Sequence, residues 1–179
     1  MFNITDFNVA KYTTILDRGL SQGMGKQGSQ VCIEAAICEA LNLPHGDDPG
    51  CVAQSVRFFK ITLNDASWSS PAARAAGLRG LGLAQLGSLG VVSDEEFTKR
   101  LAEKTIRVLI PKLFRQVFPN NPSCLAAAER CENEGTQEAA RAARAAASDE
   151  YLILSADLAL ETLRELNSPG VALLEENAK

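Results

Sequence analysis

The chain of 179 residues carries 18 basic and 22 acidic side chains, which gives a formal net charge of −4 at pH 7. A chain of this length can bury a core of its own, and its charge argues against general nucleic-acid binding, which requires a basic surface. No run approaches the ~18 consecutive apolar residues of a membrane span, and the opening MFNITDF lacks the features of a signal peptide. We therefore expect a cytoplasmic protein that makes no membrane contact.

The composition favours helices over sheets. Aromatic residues make up only 6% of the chain, while alanine and leucine dominate. The five cysteines are an odd number, so we expect reduced thiols and no disulfide framework. These features predict an all-α protein, a compact multi-helix bundle with a glycine-rich N-terminal loop and a long C-terminal helix. The expected organisation is a helical core domain over residues 1–135 and an alanine-rich helix over 136–179 that packs or oligomerises.

The N-terminal part of the chain contains a glycine-rich loop between a lead-in and a helix. β-Branched residues within 12–16 allow a short strand or an extended lead-in. The loop GLSQGMGKQG, residues 19–28, can adopt positive φ at several positions, so its backbone N–H groups can converge on a ligand. Ser29 is the expected N-cap of the next helix, whose apolar face comprises Ile33, Ala36, Ile37, Ala40 and Leu41.

A second helix start follows the turn at residues 45–49. Asp48 suits the N-cap and Pro49 the first helical position. Ser70 with Pro71 predicts another start, and the five glycines within 77–90 predict a short helix, a hinge and a turn, or else close helix–helix approach. The helix after Pro49 is expected to bury Val52, Val56, Phe59 and Leu63 and to turn a locally positive edge away from the core, formed by Arg57, Lys60 and Asn64.

The most basic part of the chain follows a capping box at residues 93–96. The predicted helix runs from Asp94 towards Phe118, and Pro111 should kink it or divide it into two helices in tandem. Six basic residues and one acid lie between Lys99 and Arg115. This basic stripe is either a solvated face balanced by acids elsewhere or a contact for an anionic ligand or partner.

Two helices complete the predicted bundle. Asn121 and Pro122 indicate the start of one that runs to Glu134 and is closed by Gly135. Thr136 is the expected cap of the last helix, whose alanine-rich part covers 138–148. The later part of that helix restores apolar bulk suited to docking or oligomerisation, at Leu152, Leu154, Leu158, Leu163 and Leu166.

The glycine-rich loop is the main candidate binding site. It fails the Walker pattern, because Leu20 stands where that pattern needs glycine and Gln27 follows Lys26. A looser anion cradle remains, in which loop amides and a helix N-terminus hold negative charge, unless the loop is purely structural. Trp68 either packs in the core or at its rim, or covers a base. The candidate ligand-binding residues are Arg18, Gly23, Gly25, Lys26, Gly28, Ser29, Gln30, His45, Asp47, Arg57, Lys60, Asn64 and Trp68.

Two other chemistries use residues of the same region. Cys32, in the first turn of a helix, could serve a cysteine hydrolase, but a helix of ~15 Å separates it from His45, the only histidine. An ordinary buried small side chain is the alternative for Cys32. His45, Asp47, Asp48 and Cys51 could bind zinc, but the helix start already explains Asp48. We predict no metal and no cofactor.

Several motifs taken together resemble a known family. They are Gly28-x-x-x-Cys32-Ile33-Glu34-Ala35-Ala36, Leu43-Pro44-His45-Gly46-Asp47-Asp48-Pro49, Leu63-Asn64-Asp65, Trp68-Ser69-Ser70-Pro71, Arg74-Ala75-x-Gly77-Leu78-Arg79 and Ala84-Gln85-Leu86-Gly87. The set resembles a family of uncharacterised proteins of phages and prophage regions, whose members often end in alanine-rich helical tails. The resemblance brings no established activity. Small phage proteins of this kind often act by binding, for instance by sequestering host defence signals or inhibiting a host protein.

Non-catalytic binding is therefore the expected function. The preferred hypothesis is capture of a small anionic ligand, such as a cyclic nucleotide, by a homo-oligomer. One alternative is a protein-binding inhibitor of a host factor that acts through the basic stripe or the alanine-rich tail. The second alternative is a hydrolase that uses Cys32.

Overall fold

The computed structural model describes residues 3–134 and 149–176, and the regular elements in these ranges are helical. Short helical turns at Ile4–Asp6, Thr105–Leu109 and Pro169–Val171 accompany the helices, and Leu20, Gly25 and Val31 form isolated β-bridges. The prediction of an all-α fold is confirmed. The helices are α1 (Val9–Leu16), α2 (Ile33–Ala40), α3 (Gln54–Asn64), α4 (Pro71–Ala84), α5 (Asp94–Lys104), α6 (Ile110–Val117), α7 (Pro122–Glu134), α8 (Asp149–Glu165) and α9 (Ala172–Glu176).

Helix α4 is the central element, because it packs along α8 and also contacts α1, α2, α3 and α9. Its glycines explain this position. A Cβ atom at Gly77 would collide with the Trp68 ring, and one at Gly82 would collide with the Tyr12 hydroxyl group. The predicted hinge is therefore wrong. Gly77, Gly80 and Gly82 lie within one continuous helix, and close helix–helix approach, the alternative prediction, is confirmed. Gly87 and Gly90 adopt positive φ in the turn region after α4, as predicted for the end of this segment.

The possible strand at residues 12–16 is also wrong, because this segment belongs to α1. The Asn8 side chain accepts a hydrogen bond from the Lys11 N–H group and caps the helix. Tyr12, Ile15 and Leu16 then fall on one buried face. Helical spacing of three bulky side chains outweighs the β-propensity of the two threonines between them.

Two predicted helix starts are displaced along the chain. Cys32, and not Ser29, is the N-cap of α2, and its Sγ atom accepts the Ala35 N–H group at 3.3 Å. Asp48 caps only a local turn, through the Gly50 N–H group at 2.9 Å, and α3 begins later, at Gln54. The residues before each start are held by loop contacts that compete with helix formation. The predicted caps at Ser70, Ser93 and Asn121 are confirmed.

A π-helical turn at Thr105–Leu109 joins α5 to α6 and confirms the prediction of two helices in tandem. The Ile110 N–H group bonds to the Thr105 carbonyl group, five residues earlier. Pro111 favours this widening, because a proline in an α-helix clashes with the carbonyl group four residues before it. The buried positions are accordingly spaced by four, five, four and four residues, at Phe97, Leu101, Ile106, Ile110 and Phe114.

The described residues form two apolar clusters. The main core collects α1 to α5 and α8, and it includes Leu152, Leu158 and Leu163. Helix α8 therefore packs into the core domain, while the expected caps at Gly135 and Thr136 and the alanine-rich part lie outside the described residues. A smaller cluster joins the π turn and α6 to α7. No helix in 3–134 or 149–176 has the length and apolar character needed to cross a bilayer.

Candidate functional site

The glycine-rich loop has the backbone geometry that its sequence predicts. Gly19, Gly23, Gly25 and Gly28 all adopt positive φ. Several loop amides nevertheless donate to internal acceptors. The N–H group of Gly23 bonds to Asp65 Oδ1 at 2.8 Å, and the others bond to backbone carbonyl groups: Ser21 to Val31, Lys26 to Gln30, Ser29 to Lys26 and Cys32 to Met24. These amides hold the loop together and do not converge on an open cradle.

The N-terminus of α2 is likewise occupied from within. The Ile33 N–H group donates to Asn64 Oδ1 at 3.2 Å, and the Asn64 amide group donates to the Ser21 carbonyl oxygen at 3.0 Å. The adjacent cavity is small, about 60 Å³, and three of its nine lining residues are acidic, namely Glu34, Asp47 and Asp65. None of the nine is Lys, Arg or His. The charge of this cavity opposes anion binding.

The predicted positive edge of α3 does not exist. Lys60 and Asn64 are buried, with exposed fractions of 0% and 1%. Arg57 remains at the surface, where it donates to the carbonyl and carboxylate oxygens of Asp47 and pairs with Asp48. The helical spacing of Lys60 and Asn64 predicted an exposed polar face. Their buried partners lie on other segments, so the sequence of α3 alone does not reveal them.

Lys60 belongs to a buried polar cluster between α2, α3 and α4. Its Nζ atom lies 3.0 Å from Glu34 Oε1, and both side chains are fully buried. Gln85 Nε2 donates to the other carboxylate oxygen of Glu34 at 3.0 Å. Burial lowers the pKa of Lys60, and the Glu34 charge opposes that effect. The cluster is a compensated charge pair inside the core.

The remaining predicted ligand-binding residues lie apart from one another. Arg18 approaches Glu39 at 4.0 Å, and its carbonyl group accepts a hydrogen bond from the Gln30 side chain. Trp68 is buried and donates its ring N–H to the Leu63 carbonyl group, so it is a core residue and presents no face to a base. His45 is partly buried in the α2–α3 connection. Five of the predicted loop residues are exposed, namely Gly25, Lys26, Gly28, Ser29 and Gln30.

Cys32 has the environment of a structural thiol. Its side chain is buried, and desolvation raises its pKa despite the backbone hydrogen bonds at the N-terminus of α2. A raised pKa disfavours the thiolate form that a hydrolase requires. All five cysteines are free, and within the described ranges no group of His, Cys, Asp and Glu side chains is arranged to hold a metal ion.

Two open surface depressions lie along the basic stripe. One opening of about 440 Å³ borders α5, the π turn and α8, and a second of about 620 Å³ borders α6 and α7. Arg107 and Val108 line both, so the two openings adjoin at these residues. We call this surface the charged groove. Its lining residues are Glu96, Lys99, Arg100, Glu103, Lys104, Arg107, Val108, Lys112, Arg115, Gln116, Glu132 and Glu165.

Carboxylates balance most of the positive charge in the groove. Lys104 pairs with Glu165 at 2.8 Å and Glu161 at 3.0 Å, and Arg115 holds Glu132 through two contacts of 2.5 and 2.6 Å. The remaining pairs are Arg100 with Glu96 and Glu165, Arg107 with Glu103, and Lys112 with Glu150. These pairs give the stripe the balance by acids that one interpretation predicts, and contact with a ligand or partner stays a prediction. With Glu161 and Glu150 counted, six carboxylates face the six cations of the groove, and Lys99 makes no ion pair with a described residue.

One exposed apolar side chain lines the groove, Val108, which is 44% exposed. Val117 and Phe118 at the end of α6 are 39% and 41% exposed but line neither opening. Position 108 lies about two helical turns after the buried Leu101, so a regular α-helix would turn it towards the core. The π turn shifts the register by one residue and turns Val108 outward. The five-residue gap between Leu101 and Ile106 is the signal in the sequence that could have indicated this.

The fold and the site together define an all-α protein with a long charged groove and an apolar centre. No protein-family model matches the chain, and no curated protein or solved structure matches it.

Proposed function

We propose that this chain is a non-catalytic binding protein that docks another protein through the charged groove. The observation that carries the proposal is the exposed Val108 at the point where the two openings meet. Apolar side chains exposed within a charged rim are typical of surfaces that bind protein partners.

The openness of the groove favours a protein over a small molecule. Small-ligand sites are usually concave and bury most of the ligand surface. The groove instead runs along the outside of two tandem helices, and its ion pairs are solvent-exposed, as in Arg107 with Glu103 at 40% and 59%. Exposed pairs contribute little to stability, so a partner can exchange them at little cost. The resemblance to phage proteins directs the search for that partner to bacterial host cells.

Site-specific photocrosslinking tests the proposal. A photoreactive amino acid replaces Val108, and the same replacement at Val91, which is 53% exposed on the α4–α5 loop, is the matched control. Irradiation in bacterial cells should give a discrete heavier product from position 108 and none from position 91. Absence of a product from position 108 and from the neighbouring positions 112 and 116 would contradict the proposal.

A small anionic ligand is the second candidate, and the convergence of four cations on one opening favours it. Lys99, Arg100, Lys104 and Arg107 line the 440 Å³ opening. Calorimetry with cyclic and linear nucleotides tests this function. Arg107→Met should abolish binding if the groove is the site, whereas Lys26→Met should abolish it if the glycine-rich loop is the site. No heat with any nucleotide would remove the candidate.

Homo-oligomerisation stays a prediction. Native mass spectrometry of the purified chain measures the subunit number and any retained small molecule together. A monomer across the micromolar range would contradict it.

A further inference from the structure

We propose that α6 and α7 form a two-helix arm that swings away from α8 by bending at the π turn. The arm comprises Ile110–Val117 and Pro122–Glu134. The inference goes beyond the protein-binding function proposed above. Its test needs no partner, so either proposal can fail while the other stands.

The arm is held together from within. Five buried residues form its apolar cluster, which lies between the π turn, α6 and α7 and is separate from the main core of the described residues. Arg115 of α6 pairs with Glu132 of α7, and Arg107 of the π turn donates to the carbonyl groups of Glu132 and Asn133 at 2.8 and 3.2 Å. Among the described elements, α6 and α7 pack extensively only on each other and on the π turn. The two helices should therefore move as one body.

The junction between the arm and α8 is thin and mostly polar. Lys112 pairs with Glu150 at 3.1 Å, where the two side chains are 49% and 50% exposed. Gln116 donates to Glu150 at 3.1 Å and accepts a hydrogen bond from the Tyr151 hydroxyl group at 2.7 Å. Leu113 and Tyr151 are buried but belong to neither apolar cluster of the described residues. Exposed polar contacts contribute little to stability, so parting this junction should cost far less than unfolding.

The π turn has the features of a hinge. The Ile110 N–H group bonds to the Thr105 carbonyl group, and Pro111 has no N–H group with which to continue the helical hydrogen bonds. Irregular turns of this kind are frequent points of bending within helices. The two clusters also meet here, because Leu109 packs against the main core and Ile106 belongs to the smaller cluster. A bend in this turn separates α6 and α7 from α8 and leaves the interior of the main core unchanged.

Movement of the arm would change the charged groove. The opening of about 440 Å³ borders α5, the π turn and α8, whereas the opening of about 620 Å³ borders the π turn, α6 and α7. Arg107 and Val108, where the two openings adjoin, lie in the hinge itself. The position of the arm therefore sets the spacing between the two openings. A partner that touches both would select one arm position.

Thiol labelling of the full chain tests the arm. Leu113→Cys places a thiol at the junction, and native Cys131, inside the arm with an exposed fraction of 0%, is the internal control. A bulky maleimide is added, the modified peptides are quantified by mass spectrometry, and each rate is divided by the rate for the same thiol in urea. Position 113 should react at least about tenfold faster than Cys131, because opening exposes the junction and leaves the cluster covered. Tyr151→Cys, on the α8 side, repeats the measurement and keeps the test available if Leu113→Cys does not fold.

A charge reversal at the junction shows whether the labelling depends on opening. Lys112→Glu, added to Leu113→Cys, should speed labelling at position 113 by about threefold or more, since two carboxylates then face each other across the junction. Lys99→Glu makes the same charge change on α5 and should leave this rate unchanged. The Cys131 rate and the urea midpoint should stay the same in both variants.

Three results would overturn the inference. Equally slow labelling of position 113 and Cys131 means that the arm stays closed. Equally fast labelling means that α6 and α7 unfold and do not swing as a unit. Fast labelling at position 113 that Lys112→Glu leaves unchanged means that the junction is simply accessible. The crosslink at position 108 tests protein binding separately from all three.

Discussion

The buried pair of Glu34 and Lys60 makes the sharpest prediction about stability. Both side chains have an exposed fraction of 0%, and the charged atoms are 3.0 Å apart. Lys60→Met keeps most of the apolar volume of the side chain but removes the positive charge. The carboxylate then remains in the core with only the Gln85 amide group as a partner. Removing one member of a buried pair costs about 3–5 kcal/mol.

This loss is large for a single substitution. The total free energy of unfolding of a domain is about 5–15 kcal/mol, so the variant should be close to unfolding under mild conditions. The double variant Glu34→Gln with Lys60→Met should recover most of the loss. Glutamine has no charge to compensate, and its carbonyl oxygen can still accept the hydrogen bond from Gln85.

Equilibrium unfolding in urea measures these effects. Trp68 is the only tryptophan and is buried, so its fluorescence reports loss of the core. Lys112→Met is the matched control, since Lys112 pairs with Glu150 at the surface, where the two side chains are 49% and 50% exposed. Its unfolding midpoint should stay close to that of the parent chain. A loss below about 1 kcal/mol for Lys60→Met, or a double variant as unstable as the single one, would refute the reasoning.

Three further predictions follow from other parts of the molecule. Gly77→Ala should lower the urea midpoint because its Cβ atom would collide with the Trp68 ring. Gly80→Ala should be better tolerated, because its Cβ atom would meet the flexible ends of Leu160 and Leu174. Equal midpoints would contradict this. Native alkylation mapped by mass spectrometry should modify the partly exposed Cys124 well before Cys32, and a fast reaction at Cys32 would revive the hydrolase alternative. Hydrogen bonds from Ser55 lower the pKa of Asp94 in the folded protein. The ionised group therefore stabilises the fold above its unfolded pKa of about 4, and this stabilisation is lost as the pH falls. Asp94→Asn should flatten the acid side of the curve of urea midpoint against pH.

Local sequence signals succeeded where a helix could be judged from its own residues. The caps at Ser70, Ser93 and Asn121 lie where the sequence places them, because each side chain bonds to amides two or three residues away. Pro111 likewise predicted the division between α5 and α6. Such contacts need no partner from another part of the chain.

The hydrogen-bond partners of the glycine-rich loop could not be predicted from neighbouring residues. Positive φ at its glycines was predictable, because few other residues adopt that conformation. The direction of its amides was not, since the acceptor of the Gly23 N–H group is Asp65, 42 residues along the chain. The same limit applies to Lys60, whose partner Glu34 lies on another helix. Sequence analysis predicts that a polar side chain is exposed when its buried partner lies far away along the chain.

The sequence by itself determined the helical class of this protein, several of its helix starts and the concentration of positive charge between Lys99 and Arg115. Only the tertiary structure decided which glycines serve close packing, which polar residues enter the core and which apolar residue stands exposed in the charged groove. Periodicity and capping act within a few residues. Burial and groove formation depend on how separate helices pack, as when α7 and α8 border the helices that carry the basic stripe.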